Sequence, residues 1–266
     1  MSGFQANGIC AGYGGKQVID NLSFSLEAGR VMGILGANGS GKTTLLKSIC
    51  SILRHKGECV LDGVKLEKLT ARQLAQKCSY IPQRSGISID ISVLDVVLMG
   101  FNPQLGLLLH PSAAMKQQAI HAIETVGLGG MENQNYMHLS EGQKQLCILA
   151  RTLVSNARLL LLDEPESALD FHYRHHMLAI IRNWIKQDSR FALVTLHDPM
   201  LALNGCDDLL LLKDGRNIGV LHPQTDSFDF MKEMLSTVYG RVHIVSCADS
   251  TGNKHIVMLR EGGDGF

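Results

Sequence analysis

The sequence has no excess charge of either sign: 25 Lys and Arg balance 25 Asp and Glu over 266 residues. A neutral chain gives no electrostatic footprint for nucleic acid or anionic lipid, so neither is expected as a direct partner. Long apolar runs are also missing. The stretches Leu159 to Leu162 and Leu209 to Leu212 are bounded by Asp, well short of the ~18 residues a membrane helix needs. Met1 to Gln5 has neither a basic n-region nor an apolar h-region, so no secretory signal is expected. The seven cysteines (Cys10, Cys50, Cys59, Cys78, Cys147, Cys206, Cys247) are odd in number and form no CxxC. That usage fits reduced thiols packed as small apolar residues, and a cytoplasmic location. Repeats and low-complexity tracts are absent, and 45% hydrophobic residues supply a core, so disorder is excluded.

Short β-like runs bounded by Gly and Asp alternate with segments of helical period, which predicts the α/β class. Ile19 to Leu26, closed by Glu27-Ala28-Gly29, reads as a strand feeding the short buried strand Val31 to Leu35. Cys59-Val60-Leu61 with Asp62-Gly63 reads as a hairpin, and so does Leu209 to Leu212 with Asp214-Gly215. Between about Arg84 and Asn156 strand signals fade, and Val93 to Met99, Met115 to Val126 and Gln143 to Val154 read as helices. Strands return at Leu159 to Leu162 and Phe191 to Thr195. A helix over Phe228 to Tyr239 is followed by paired strands at Val242 to Ser246 and Ile256 to Leu259.

Gly36-Ala37-Asn38-Gly39-Ser40-Gly41-Lys42-Thr43 matches GxxxxGK[ST] between a predicted strand and a predicted helix. Glycines let successive N–H groups converge on one centre, the helix dipole adds positive potential, and Lys42 adds a full charge for β/γ-phosphates. Thr43 is placed to offer its hydroxyl to Mg²⁺. Further on, the apolar strand Leu159 to Leu162 ends in Asp163-Glu164. There Asp163 suits the Mg²⁺ shell and Glu164 suits polarising a water. Ser140 with Gln143 three residues later reads as a capping box; the same N–H groups and hydroxyl could instead bind an anion.

Together, the phosphate loop, Leu139-Ser140-Glu141-Gly142-Gln143 and Asp163-Glu164 resemble the motifs of the ATP-binding cassette (ABC) ATPases. Other landmarks fall in order. Tyr13 resembles the aromatic that stacks on adenine, Gln83 in Tyr80-Ile81-Pro82-Gln83 the Q-loop glutamine, Ser167-Ala168-Leu169-Asp170 the D-loop, and His197 the switch histidine. The resemblance spans residues 4–220. It implies a P-loop NTPase core with an antiparallel N-terminal β subdomain and a helical signature subdomain at about 85–156, in a single domain over 1–266 with a C-terminal extension from about 221. It implies ATP and Mg²⁺ as ligands. Glu164, His197 and Gln83 become the catalytic set, and Thr43, Gln83 and Asp163 the metal set. The nucleotide set is Tyr13, Gly36, Asn38, Gly39, Ser40, Gly41, Lys42, Thr43, Thr44, Ser140, Gly142, Gln143 and Asp170. A second copy is expected head-to-tail, so that Ser140 of one chain meets the nucleotide of the other. Polytopic permease subunits would hold the chain peripherally on the inner face of the membrane, with a solute-binding protein as an indirect partner. Ser92 to Gly106 is similar to the stretch found in ATPases of iron-siderophore, haem and cobalamin importers.

Glu141 stands where many members have Gly, and is expected to face away from the nucleotide. His172, His175 and His176 include an i,i+4 pair with ligand-like spacing, but no carboxylate partner is evident in the sequence. A soluble ABC ATPase of iron–sulfur assembly, DNA repair or translation usually carries a long coiled-coil insertion or a second cassette, and neither is present. A small P-loop kinase or GTPase would lack the signature and His197; Asn253-Lys254 is followed by His255-Ile256, which is no guanine motif.

Overall fold

The computed structural model describes residues 3–83, 86–106 and 109–261. In chain order the elements are β1 (Gly3–Tyr13), β2 (Lys16–Glu27), β3 (Val31–Leu35), α1 (Lys42–Ile49), β4 (His55–Leu61), β5 (Val64–Lys65), α2 (Ala71–Lys77), β6 (Cys78–Ile81), α3 (Val93–Leu98), α4 (Ala113–Thr125), α5 (Glu141–Val154) and β7 (Leu159–Asp163). There follow α6 (Phe171–Gln187), β8 (Phe191–Thr195), α7 (Pro199–Gly205), β9 (Asp208–Lys213), β10 (Arg216–Leu221), α8 (Phe228–Tyr239), β11 (Val242–Ala248) and β12 (Lys254–Arg260). Among the described residues three sheets result. β2-β1-β4-β5 is antiparallel, β10-β9-β3-β8-β7-β6 is parallel except for the edge strand β10, and β11 pairs with β12.

The large sheet is buried on both faces, as parallel strands require. Alternation sorts its side chains. Met32, Ile34, Leu159, Leu161, Phe191 and Leu193 meet Leu45, Leu46 and Ile49 of α1 and the inner face of the antiparallel sheet. Leu160, Leu162, Ala192 and Val194 face Leu146 and Leu149 of α5, Met177 and Ile181 of α6, Leu201 of α7 and Met231 of α8. The helix α1 is thus sandwiched between two sheets. Both Asp-Gly turns are real hairpin turns: Asp62 and Gly63 have φ of 49° and 79°, Asp214 and Gly215 of 48° and 76°. Positive φ at both central residues matches the right-handed twist of the flanking strands.

Periodicity does not show β6, α2 or α7. The helix α2 buries Leu74 alone, so it has no apolar stripe, and β6 follows it without a break. Between β6 and β7 the described residues hold α3, α4 and α5. Residue 85, the expected start of the helical part, lies outside the described residues, as do the last five residues of the C-terminal extension. No helix among the described residues is long and apolar enough to cross a membrane.

Candidate functional site

At the carboxyl end of β3 the chain turns through Gly36 to Gly41 into α1, the usual place for a ligand on a parallel sheet. Gly39 and Gly41 adopt φ of 80° and 104°. Gly36 is needed for another reason: a Cβ there would stand 2.5 Å from Leu212 O and 2.5 Å from Ser40 Oγ. The seven helices α2 to α8 are each capped by a side chain, from Thr70, Ser92, Ser112, Ser140, Asp170, Asp198 and Ser227. At α1 the cap is Gly41, with no side-chain hydrogen bond. Its first N–H groups are therefore left to an anion. They open onto a cavity of about 320 Å³ lined by Val18, Asn38 to Thr44 and Glu164. Ser40 Oγ is buried beside it with no hydrogen-bond partner among the described residues.

Lys42 is buried, and its Nζ donates to Gly36 O at 2.9 Å. Burial holds the ammonium below its ordinary range, although the Glu164, Asp163 and Glu166 carboxylates raise it again. Thr43 Oγ1 donates to Asp163 Oδ1 at 3.0 Å. The parity of β7 explains this: Asp163 continues the row of Leu159 and Leu161, which faces α1. Thr195, opposite Asp163 on β8, donates its hydroxyl to the same oxygen at 3.0 Å and accepts the Glu164 N–H at 2.8 Å. Tyr80, on β6 opposite Leu161, donates to Asp163 Oδ2 at 3.1 Å. Burial first, then Asp163, push the Tyr80 phenol far above its ordinary range, so it remains a donor.

Glu164 leaves β7 with φ of 50°, a left-handed conformation that is strained for a residue with a side chain. Its Oε2 accepts from Gln83 Nε2 at 2.7 Å and lies 2.7 Å from His197 Nε2. Two residues on, the buried Glu166 accepts the His197 N–H on Oε1 at 2.8 Å, while its Oε2 has no partner among the described residues. Burial, the largest influence, raises its carboxyl above the ordinary range. Gln83 O in turn accepts from Gln145 Nε2 of α5 at 2.6 Å.

The structure therefore gathers Gly36, Asn38, Gly39, Ser40, Gly41, Lys42, Thr43, Thr44, Gln83, Asp163, Glu164 and His197 into one connected region. Five expected residues lie elsewhere. Tyr13 ends β1 with its ring half exposed. Ser140 and Gln143 form the capping box of α5, each accepting the other's N–H, at 3.2 and 2.9 Å. The Ser140 hydroxyl hydrogen stays free to donate. Gly142 sits against the 167–170 turn, where a Cβ would be 3.2 Å from Ala168 O. Asp170 caps α6 by accepting Tyr173 N–H at 3.0 Å. Glu141 projects into solvent and pairs with Lys144 at 2.8 Å. His172 and His176 stack on the exposed face of α6, rings 6.4 Å apart, with no cluster of metal-ligating side chains around them among the described residues. Tyr80, Thr195 and Glu166 are contributors that sequence reasoning passed over. The turn after α3 is clamped to α2: Arg72 Nη2 donates to Leu105 O at 2.7 Å and Gln76 Nε2 to Pro103 O at 2.8 Å.

A glycine-lined loop on an uncapped helix, flanked by a carboxylate strand, defines a P-loop nucleoside-triphosphatase site. Residues 19–167 match the ABC transporter family. A probable iron chelatin transport ATP-binding protein of Helicobacter pylori is 36% identical over 76% of this chain and 80% of its own length. The hemin import ATP-binding protein HmuV of Pseudomonas fluorescens is 34% identical over 92% and 95%. Among solved structures, a metal-chelate type ABC transporter in an inward-facing conformation superposes with a TM-score of 0.81, at 24% identity, over 98% of this chain and 99% of that one. A dimeric bacterial ABC transporter cassette gives 0.74, at 22% identity, over 83% and 98%. The chain belongs to the ABC transporter family and is one of its ATPases.

Proposed function

We propose that this chain is the ATP-hydrolysing subunit of a membrane importer for an iron chelate, haem, cobalamin or a related metal species. The observation that carries the reading is the 34–36% identity, over 76–92% of the chain, to proteins named for hemin import and iron chelatin transport. The chain works at the cytoplasmic face, joined to the membrane through polytopic permease subunits. The residues just after Gln83, of which 84 and 85 lie outside the described residues, form the groove that receives a permease helix, and a solute-binding protein delivers cargo on the far side.

In this reading the α1 N–H groups and Lys42 hold the ATP phosphates, and Tyr13 stacks on the adenine. Mg²⁺ when bound would neutralise phosphate charge, and the hard oxygens of Thr43 and Asp163, with Gln83, would hold it. The Thr43 and Asp163 oxygens already converge at 3.0 Å, which fits that ion. Glu164 takes a proton from the attacking water and His197 contacts the γ-phosphate. Gln83, hydrogen-bonded to Glu164 and to Gln145, relays the state of the site to α5. α3 to α5 act as the helical unit that carries the signature, and residues 221–266 as the C-terminal extension. Ser140, Gly142 and Gln143 of a second, head-to-tail copy close over the nucleotide, with Asp170 at the shared boundary.

The test is uptake in a strain deleted for this subunit, assayed with haem, cobalamin and several ferric chelates. Loss of uptake of one of them, restored by the wild-type chain and not by Lys42→Ala, is expected. Unimpaired uptake of all of them, with a sugar or amino acid affected instead, would overturn the cargo assignment.

A further inference from the structure

His55, Cys59 and Glu67 stand away from the nucleotide cavity, on β4 and on the turn Leu66–Lys68. Among the described residues they are the one group of three or more His, Cys, Asp or Glu whose donor atoms all lie within 4.8 Å of one another. On a regular strand residues four apart are about 13 Å apart, too far to share an ion. Here β4 is kinked. Its register with β1 slips between Asn7 and Cys10, and opposite the slip Gly57 takes a φ of 90°. A Cβ on Gly57 would stand 2.4 Å from Gly8 O and 2.5 Å from Asn7 O, so the tight crossing itself demands glycine. The kink accounts for the approach of the His55 ring to Cys59.

The trio is also shielded. Cys59 is fully buried and the His55 side chain is 4% exposed, while Glu67, at 30%, forms the open side. Glu67 Oε1 lies 3.1 Å from His55 Nε2 and accepts the Cys59 backbone N–H at 2.5 Å. On a tetrahedral zinc ion, bonds of about 2.0–2.3 Å place neighbouring donor atoms roughly 3.5 Å apart. Small rotations of the Glu67 side chain close that difference. One imidazole nitrogen, one thiolate and one carboxylate make a borderline-soft donor set, suited to Zn²⁺ and poorly suited to Mg²⁺ or Ca²⁺.

We propose that His55, Cys59 and Glu67 form a binding site for a divalent transition-metal ion of the Zn²⁺ type. On binding, the Cys59 S–H bond breaks, its proton passes to solvent and the sulfur lone pair bonds to the metal. His55 binds through Nε2 with its ring hydrogen on Nδ1, one Glu67 oxygen supplies the third ligand, and water takes the fourth position; no oxidation state changes. The chain runs from the end of α1 at Ile49 directly into His55, and His55 pairs with Ala11, two residues before Tyr13. The ion thus ties the start of β4, the strand that follows the P-loop helix, to the Leu66–Lys68 turn at the edge of the sheet that carries Tyr13.

The test is titration of the tag-free full chain with Co²⁺, whose thiolate complexes absorb in the near ultraviolet. Expected is a saturating thiolate-to-cobalt band at one equivalent, removed by one equivalent of Zn²⁺ and lost in Cys59→Ser. If Cys59→Ser does not fold, His55→Asn and Glu67→Gln carry the test, each weakening Co²⁺ binding at least ~10-fold, since each removes a ligand. Absence of the band in the wild type would overturn the proposal. So would a band that survives Cys59→Ser, which would place the ion on another thiol, or one unchanged by both of the other variants.

Discussion

Thr195→Val isolates the hydrogen bonds that align the two carboxylates at the end of β7. The side chain is fully buried, and valine matches threonine in shape, so the substitution opens no cavity. It removes the acceptor for the Glu164 N–H and the hydroxyl that donates to Asp163 Oδ1. An orphaned buried N–H costs about 1–3 kcal/mol, and a lost hydrogen bond to a charged group about 1.5–3 kcal/mol. Asp163 keeps its bonds from Thr43 and Tyr80, and both losses fall on one oxygen, so they do not add fully. A net loss of about 2–4 kcal/mol is expected. At roughly 2–4 °C per kcal/mol for chains of this size, Tm falls by about 5–15 °C. Differential scanning calorimetry measures it, with Thr195→Ser as the control that keeps the hydroxyl and loses only a methyl, worth ~1 kcal/mol. ATP turnover should fall with Thr195→Val and stay close to wild type with Thr195→Ser. Equal melting temperatures for the two variants would refute the reasoning, because the loss of the hydroxyl is expected to outweigh the ~1 kcal/mol methyl that Thr195→Ser gives up.

Lys42→Ala should weaken ATP binding about 10- to 100-fold, the loss of one charge-assisted contact to phosphate, with an unchanged far-UV spectrum; calorimetric titration reads it, and wild-type affinity would contradict it. Glu166→Gln keeps the acceptor for the His197 N–H and removes a buried charge. Burial raises the folded-state value of this carboxyl above the ordinary 4.5, so the folded protein retains a proton that the unfolded chain has released, and the wild type loses stability as pH rises above that value. Urea unfolding should therefore show the variant and the wild type alike near about pH 4 and the variant more stable near about pH 8; a gap that does not widen with pH would count against it.

The motif residues Gly36 to Thr43, Asp163-Glu164 and His197 were legible because each stands at an element boundary that glycine, apolar runs or charge mark in the sequence. What periodicity does not reveal is the register of parallel strands. Asp163 meets Thr195 and Tyr80 only because β7 lies between β8 and β6 with Asp163 opposite Thr195 and Leu161 opposite Tyr80. Strand β6 has four residues and follows a helix with one buried side chain, so it left no pattern to read. Glu166 carries no mark in the sequence and is buried by the return of the chain at His197. His55 and Cys59 lie four apart on a strand, a spacing that separates them unless the kink at Gly57 is known.

Glu164 as the base of a two-chain site is the central proposal for this chain. Its carboxylate is positioned by Gln83 and His197, each at 2.7 Å, while Asp163 holds the Thr43 side. Glu164→Gln preserves size and leaves Asp163 in place, but removes the proton acceptor, so hydrolysis should fall ~10²–10⁴-fold. With hydrolysis blocked, nucleotide shared between two chains stabilises the assembly that holds it. The decisive measurement is light scattering on a sizing column, run on Glu164→Gln with and without Mg²⁺-ATP and paired with an ATPase assay. A shift to twice the monomer mass on adding nucleotide, cancelled by Ser140→Arg, is the expected result. A Glu164→Gln chain that stays monomeric with ATP bound and hydrolyses it at close to the wild-type rate would contradict the account.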